Sequence, residues 1–347
     1  MSWLTWRQFR IQALVAGIVL AALAIIYCYT GPHLRHLYNS SGLTGCGRHS
    51  DCQSLAVTFM NNVKADGVYP ALFFAGALIL IVLPAIMGAF WGAPLVTREL
   101  ETGTYRLAWN QDVTRTRWMA IKLGIVGLGA AALAGLFSLI FTWWAGPIDY
   151  AGGFPNNFGY FTRLSPLMFV ARGLAPVGYA LLAFAVGVII GVMIRRTVPA
   201  MAITIAIVVA FQFLWPTFVR PHLLTPDRAS APVTLLGLND MIVSHTGVVT
   251  VPINQPGTPQ LSGAWVVSNT SLTPSGHAFV LPQTSICAAG SITQCDAWIA
   301  GHHLTQVVRY LPASDFWPLQ WYETSVLLIL AVGVGGAATW RVRRLLT

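Results

Sequence analysis

The sequence predicts an all-α polytopic membrane protein with six transmembrane helices, cytoplasmic N and C termini, and an extracytoplasmic loop domain of mixed or irregular β structure. Three observations indicate this fold class. Of the 347 residues, 55% are hydrophobic and only 9% are charged, whereas soluble domains carry about 25% charged residues. Six separate stretches are apolar enough to cross a bilayer. The excess of basic residues falls on one side of the membrane that these stretches define.

Each apolar stretch approaches the ~20 residues that a helix needs to cross the hydrocarbon core. A helix in a soluble core would show a polar face, but these stretches are apolar all round,. The first follows Arg7 and Arg10, as a signal peptide would, yet its apolar run exceeds the usual ~7–15 residues and no small-residue cleavage site follows. We therefore predict an uncleaved anchor. The predicted spans are 11–29, 71–91, 123–144, 173–194, 198–218 and 321–340.

The orientation follows from lysine and arginine, which are enriched in cytoplasmic loops. With the N terminus inside, the cytoplasmic segments hold 12 of the 20 basic residues and 3 of the 11 acidic residues, so the whole net charge of +9 lies there. The basic residues concerned are Arg7, Arg10, Arg98, Arg106, Arg115, Arg117, Lys122, Arg195, Arg196, Arg341, Arg343 and Arg344.

The connections between the spans divide the chain further. Residues 219–319 are too many for a linker and predict a small outer domain. Its β-branched runs at 241–243, 248–251 and 265–267 indicate short strands,. The complete predicted division is an interfacial segment with the first span at 1–29, outer loops at 30–70 and 145–172, a cytoplasmic loop at 92–122, the outer domain at 219–319 and a cytoplasmic tail at 341–347.

Four of the five cysteines lie in predicted outer segments. In an oxidising compartment they favour disulfides, most simply Cys46 with Cys52 and Cys287 with Cys295, while two connectivities between the loops remain open,. A metal site that uses the neighbouring histidines is disfavoured because paired CxxC spacing is missing.

The sequence lacks the residue patterns of several functional classes. The basic residues do not form a stripe with interleaved aromatics, which argues against a nucleic-acid partner. Neither Lys64 nor Lys122 has the glycine spacing of a nucleotide-binding loop,. The motifs HExxH and GxSxG are absent from the sequence, so we expect no catalytic residues and no enzyme activity,.

The loop at 92–122 carries the most informative pattern. Glu99 and Glu101 are expected on a short helix that continues the second span, and Gly103 can take the left-handed conformation that ends it,. A second helix would start from a cap at Asp112 or Thr114 and run into the third span. The result is a charged elbow at the membrane surface.

The order R-E-x-E-x-G-T-x-R-L in this loop, followed about 20 residues later by a lysine that opens the next span, resembles type 2 ABC export permeases of the compact actinobacterial kind,. The resemblance implies a coupling helix that docks into a groove of a separate ABC ATPase, with that role carried by Glu99, Glu101, Gly103, Thr104 and Arg106. It implies a permease subunit of an exporter in the bacterial plasma membrane. Its further partners would be membrane lipid and a second permease subunit, in a homodimer or a heterodimer.

The same resemblance implies that this chain holds no cofactor or metal of its own, and that ATP and magnesium bind to the partner ATPase. The transported substrate and its binding residues are not indicated. An alternative function is a membrane-anchored envelope assembly or sensing protein with an extracytoplasmic binding domain. The elbow favours the permease hypothesis, because an assembly or sensing protein has no use for a helix that couples to an ATPase.

Two features of the predicted spans are explained by helix packing and hydrogen bonding and not by a role in transport. Glu323 lies near a membrane interface and is expected to snorkel or to be hydrogen-bonded,. Small residues at 183, 187 and 191, and likewise at 127, 131 and 135, form rows that favour close packing of helices,.

Overall fold

The computed structural model describes residues 2–46, 52–103, 114–154, 162–238, 241–243, 247–254, 258–282, 287 and 292–344. In this part of the chain, six helices are long and apolar enough to cross a membrane. The helix bounds are α1 Ser2–Ser40, α2 Gln53–Ala65, α3 Val68–Ile86, α4 Pro94–Thr102, α5 Arg115–Ala151, α6 Pro166–Phe169, α7 Ala175–Ile194, α8 Thr197–Phe218, α9 Leu235–Leu238, α10 Ile292–Ala300 and α11 Phe316–Arg344. The six long apolar helices are α1, α3 with its continuation, α5, α7, α8 and α11.

The helices are longer than the apolar runs that predict them. Helix α1 continues to Ser40 and α5 to Ala151, so both enter stretches assigned to the loops 30–70 and 145–172. Helix α2 also lies within 30–70. Residues 2–10, which the sequence predicts as an interfacial segment, form the beginning of α1. These boundaries differ because hydropathy detects only the membrane-embedded part of a helix, whereas backbone hydrogen bonds propagate beyond it.

Helix α7 is the centre of the bundle. In its most apolar window 67% of the residues are buried, against 6% for α1. It contacts α3, α4, α5, α8 and α11. Because lipid supplies no hydrophobic drive between helices, such burial depends on close packing.

One of the two predicted small-residue rows produces this close packing. A Cβ added at Gly187 would lie 2.1 Å from the Gly88 carbonyl oxygen, and one at Gly191 would lie 2.6 Å from the Ala93 oxygen. The backbones of α7 and of the segment after α3 are therefore in direct contact. The packing interpretation of this row is confirmed.

The segment after α3 is a π-helix at Met87–Gly92. The Ala93 N–H donates to the Gly88 oxygen at 2.9 Å, which is the i to i−5 bond of a π-helix,. Helix α4 begins directly after this segment, at Pro94.

The described part of the segment 219–319 contains two small antiparallel sheets, one of three strands and one of two. Strands β1 Asp227–Pro232, β5 Thr305–Leu311 and β4 Trp265–Leu272 lie side by side in that order, and β2 Ile242–Val243 pairs with β3 Val249–Thr250. The three predicted strand positions are confirmed. Trp265 and Leu311 pack with Phe316 and Leu319 of α11, so the three-stranded sheet rests on one end of the helical bundle.

Candidate functional site

The two predicted helices of the elbow are present, and the residues between them, 104–113, lie outside the described residues. Helix α4 follows the π-helix, and it ends at Gly103, whose φ of 70° is in the left-handed region. The predicted conformation of Gly103 is therefore confirmed. Helix α5 begins after Thr114, whose side chain accepts a hydrogen bond from the Arg117 N–H at 3.4 Å. The predicted positions Thr104, Arg106 and Asp112 lie outside the described residues.

Glu99 joins the elbow to α5. Its carboxylate forms an ion pair with the Lys122 ammonium group, and the exposed fractions of the two side chains are 13% and 3%. Lys122 also donates to the Leu95 oxygen at 3.3 Å and lies over the Trp118 ring, 4.6 Å from its centroid. A lysine buried to this extent needs an anionic partner. Glu99 therefore faces the bundle and braces α4 against α5.

Glu101 joins the elbow to α8. Its carboxylate accepts hydrogen bonds from the Thr197 N–H at 2.8 Å and from the Thr197 hydroxyl at 2.6 Å. Thr197 is the first residue of α8. A carboxylate at a helix N-terminus satisfies unpaired N–H groups and interacts favourably with the helix dipole. Glu101 thus caps a transmembrane helix across 96 positions of sequence.

The elbow also borders a recess of about 340 Å³. It lies between the N-terminal part of α1, the π-helix and α4. Arg98 lines it and belongs to the exposed face of α4. At the same end, the Arg343 guanidinium donates to the Thr116 hydroxyl at 2.8 Å, which ties α11 to α5. We call this end, defined by Arg98, Glu101, Lys122, Thr197 and Arg343, the basic end.

At the other end of the bundle, a buried ion pair and a tyrosine hydroxyl link α7, α11 and the short helical segment Arg220–His222 that follows α8. The Arg220 guanidinium donates to both oxygens of Glu323 at 2.7 and 2.9 Å, and both side chains are fully buried. The Tyr179 hydroxyl donates to Glu323 at 2.8 Å. Glu323 is therefore hydrogen-bonded, which is one of the two forms expected for it.

A second buried pair and a helix cap lie nearby. Arg172 donates to both oxygens of Asp149 at 2.8 and 3.2 Å. The Gln320 side-chain oxygen accepts from the N–H groups of Leu174 and Ala175 at 2.9 and 2.8 Å, where α7 begins. We call this end, defined by Asp149, Arg172, Arg220, Gln320 and Glu323, the closed end.

The sequence does not indicate these partners. Arg172 and Arg220 lie in segments predicted to be outer, and only Glu323 stands out as a charge in an apolar stretch. The available signal for a buried ion pair is that Arg172 and Arg220 lie next to apolar stretches. The sequence does not show which acidic residue each arginine binds.

Two disulfides are present, Cys46–Cys52 and Cys287–Cys295. They are the two short-range pairings that the sequence favours. Among the described residues, no group of three or more histidine, cysteine, aspartate or glutamate side chains is arranged to hold a metal ion.

Comparison with known families gives one result. The model of a family described as ABC-2 membrane transporter related matches residues 17–220, which is more than half of the chain. The match includes the elbow, all of α7 and α8, and the Arg220 position. No curated protein and no solved structure matches the chain.

Proposed function

The chain belongs to the ABC-2 membrane transporter related family, and we propose that it is the membrane-spanning permease subunit of an ATP-driven exporter. In this proposal the basic end faces the cytoplasm of a bacterium, the closed end faces outward, and both termini are cytoplasmic. The positive-inside distribution of arginine supports this orientation. The chain itself carries out no catalysis, and ATP and magnesium bind to a separate ATPase partner.

The observation that carries the proposal is the double attachment of α4. Its two glutamates contact two different transmembrane helices, Glu99 through Lys122 of α5 and Glu101 through Thr197 of α8. Its preceding π-helix packs on the backbone of α7. A force applied to α4 from the cytoplasm would therefore reach three spans directly. This connectivity suits a coupling helix.

The arrangement changes the role proposed for the two glutamates. Because both carboxylates bind partners within the chain, they would transmit motion rather than supply the main contact with the ATPase. The docking contact would come from the exposed face of α4, where Arg98 and Thr102 lie. Two permease subunits, identical or different, would form the pathway at their interface.

Coexpression with an ATPase encoded beside the chain tests the proposal. We expect Arg98→Glu to weaken co-purification of the ATPase, since it reverses a charge on the docking face. We expect Glu101→Gln combined with Thr197→Val to retain the complex but to lower permease-dependent ATP hydrolysis several-fold, since it cuts the link to α8. Reversing Glu99 is a poor test, because an arginine there would face Lys122.

A matched control is Lys64→Glu, which reverses an exposed lysine on α2, remote from the elbow. It should leave both assembly and hydrolysis unchanged. If Arg98→Glu binds the ATPase as the native chain does and the Glu101→Gln, Thr197→Val variant keeps native hydrolysis, α4 is not the coupling helix. If no ATPase binds and the segment 219–319 instead captures an envelope partner, the alternative of an assembly or sensing protein replaces the permease.

A further inference from the structure

Two arginines lie side by side on the three-stranded sheet. Arg228 of β1 is directly opposite Arg309 of β5 in the antiparallel register, and Ser268 of β4 is opposite Arg309 on its other side. All three residues are exposed. Directly opposite residues share one face of a sheet, with their Cβ atoms about 4.5–5.5 Å apart. The sheet therefore presents two neighbouring guanidinium groups and a hydroxyl group, which we call the arginine row.

Acidic side chains of the described residues do not neutralise the arginine row. None of the ion pairs formed within that part of the chain includes Arg228 or Arg309. Asp227 precedes Arg228 directly, but it is paired with Tyr310 in the neighbouring row, and successive residues of a strand point to opposite faces. Like charges directly opposite each other destabilise a sheet. An anion bound between the two guanidinium groups would remove this repulsion.

The arginine row lies close to the membrane. Farther along β5 on the same face, Leu311 is buried with Trp265 against the closed end of the bundle. Strand β5 then leads into α11, where Trp317 and Trp321 have exposed fractions of 50% and 62%. Exposed tryptophans at the ends of spanning helices occupy the level of the lipid headgroups. Arg309 is only two strand residues, or about 7 Å, from Leu311, so the row borders the headgroup region.

The opposite face of the sheet is covered by protein. Gln306 of β5 is buried and donates to the Val251 oxygen at 2.7 Å, and Asn269 of β4 donates to the same oxygen at 2.8 Å. These contacts hold the strands from behind. The positions of the arginine row are therefore fixed before any ligand binds, which lowers the entropy cost of binding.

We propose that the arginine row binds the phosphate group of an anionic phospholipid in the adjacent leaflet. Arg228 and Arg309 would be its paired cationic contacts, because guanidinium groups bind phosphate oxygens through charge-assisted hydrogen bonds. The Ser268 hydroxyl would be a further donor. A zwitterionic lipid fits less well, since its cationic group would bring a third positive charge to the row. This inference depends on the membrane location of the chain and not on its coupling to an ATPase.

Variants of Arg309 separate lipid binding from folding. Arg309→Gln removes one charge of the row, whereas Arg309→Lys retains the charge but not the planar guanidinium group. Because Arg309→Gln also removes the repulsion between like charges, it should melt at the temperature of the native chain or above it when no lipid is present. The control is Lys64→Gln, which removes an exposed cation from α2, in another segment predicted to be outer.

The measurement is binding of short-chain phosphatidylglycerol to the full-length chain in neutral detergent, followed by native mass spectrometry and by the rise in melting temperature. Phosphatidylcholine of the same chain length and inorganic phosphate are the comparison probes. We expect saturable binding of phosphatidylglycerol that weakens at least about tenfold in Arg309→Gln and in Arg228→Gln. Binding should be intermediate in Arg309→Lys and native in Lys64→Gln. Added salt should weaken it, because the contact is exposed and electrostatic.

Four results would overturn the proposal. Equal binding by all variants would place the lipid elsewhere on the chain. Equal binding of phosphatidylcholine would show that the net charge of the lipid is not recognised. Full competition by inorganic phosphate at the same concentration would make the row a site for a free anion. A melting temperature of lipid-free Arg309→Gln far below that of the native chain would show that this arginine supports the sheet instead.

Discussion

The two ends of the helical bundle hold their charges in different ways. At the closed end, Arg220 and Glu323 are fully buried and joined by two hydrogen bonds. At the basic end, Glu101 is exposed while it caps α8. A buried pair is costly to break because each charge loses its only compensation, whereas an exposed contact exchanges with water at little cost. The Arg220–Glu323 pair thus fixes the closed end, whereas the Glu101 contact at the basic end can be remade, although the Glu99–Lys122 pair beside it is largely buried.

The largest effect is expected when the buried pair is broken. Glu323→Gln leaves the Arg220 charge buried without its anion and should destabilise the fold by roughly 3–5 kcal/mol. Thermal unfolding in detergent measures this change. The double variant Arg220→Met with Glu323→Leu removes both charges and should be more stable than Glu323→Gln alone. A single variant as stable as the native chain would show that the closed end is not fixed by this pair.

A smaller loss is expected from Gly187→Ala. Its Cβ would lie 2.1 Å from the Gly88 oxygen, so the backbones of α7 and the π-helix must separate, at a cost of about 1–3 kcal/mol,. Gly333 lies in α11, and a Cβ there would meet nothing within 4 Å. Gly333→Ala should therefore be neutral or stabilising, by up to ~1 kcal/mol. Equal melting temperatures for both variants would contradict the close packing.

The Gln320 cap on α7 should contribute less to the stability of the fold than the close packing at Gly187 does. Gln320→Ala removes the acceptor for the N–H groups of Leu174 and Ala175 and should cost about 1–2 kcal/mol. Gln320→Glu keeps an acceptor at that helix N-terminus and should retain more of the stability. Unfolding midpoints compare the two, and a larger loss for Gln320→Glu would argue against a cap.

The smallest effect on stability is expected at the basic end. Glu101→Gln should leave the melting temperature unchanged, because its side chain is exposed in the folded state. It should nevertheless lower ATP hydrolysis in the complex with the ATPase, because it weakens the link between α4 and α8. A large loss of stability would instead show that the basic end is as fixed as the closed end.

Much of the fold follows from local sequence. Apolar runs locate the six spans because the bilayer demands a minimum length, and Gly103 predicts the end of α4 because glycine takes a positive φ readily,. The strands β2, β3 and β4 follow from β-branched runs. Strand β1, by contrast, contains proline and charged residues and was not predicted,.

The remaining features depend on contacts between distant parts of the chain. Arg220 and Glu323 are 103 positions apart, and Glu101 and Thr197 are 96 positions apart. The sequence marks Glu323 as unusual but not its partner. The π-helix likewise has no local signal, because its extra residue is stabilised by packing against α7. Consequently the sequence predicts the elbow as a charged surface feature but does not show that Glu99 contacts α5 and that Glu101 contacts α8.

Hydrogen exchange of the chain alone and in complex with its ATPase tests whether α4 is the coupling helix. Binding should slow exchange in 94–102 and at the start of α8, and should leave the segments around Arg220 and Gln320 unchanged. Slowed exchange at the closed end or in 219–319, with no change in 94–102, would contradict the coupling role of the elbow.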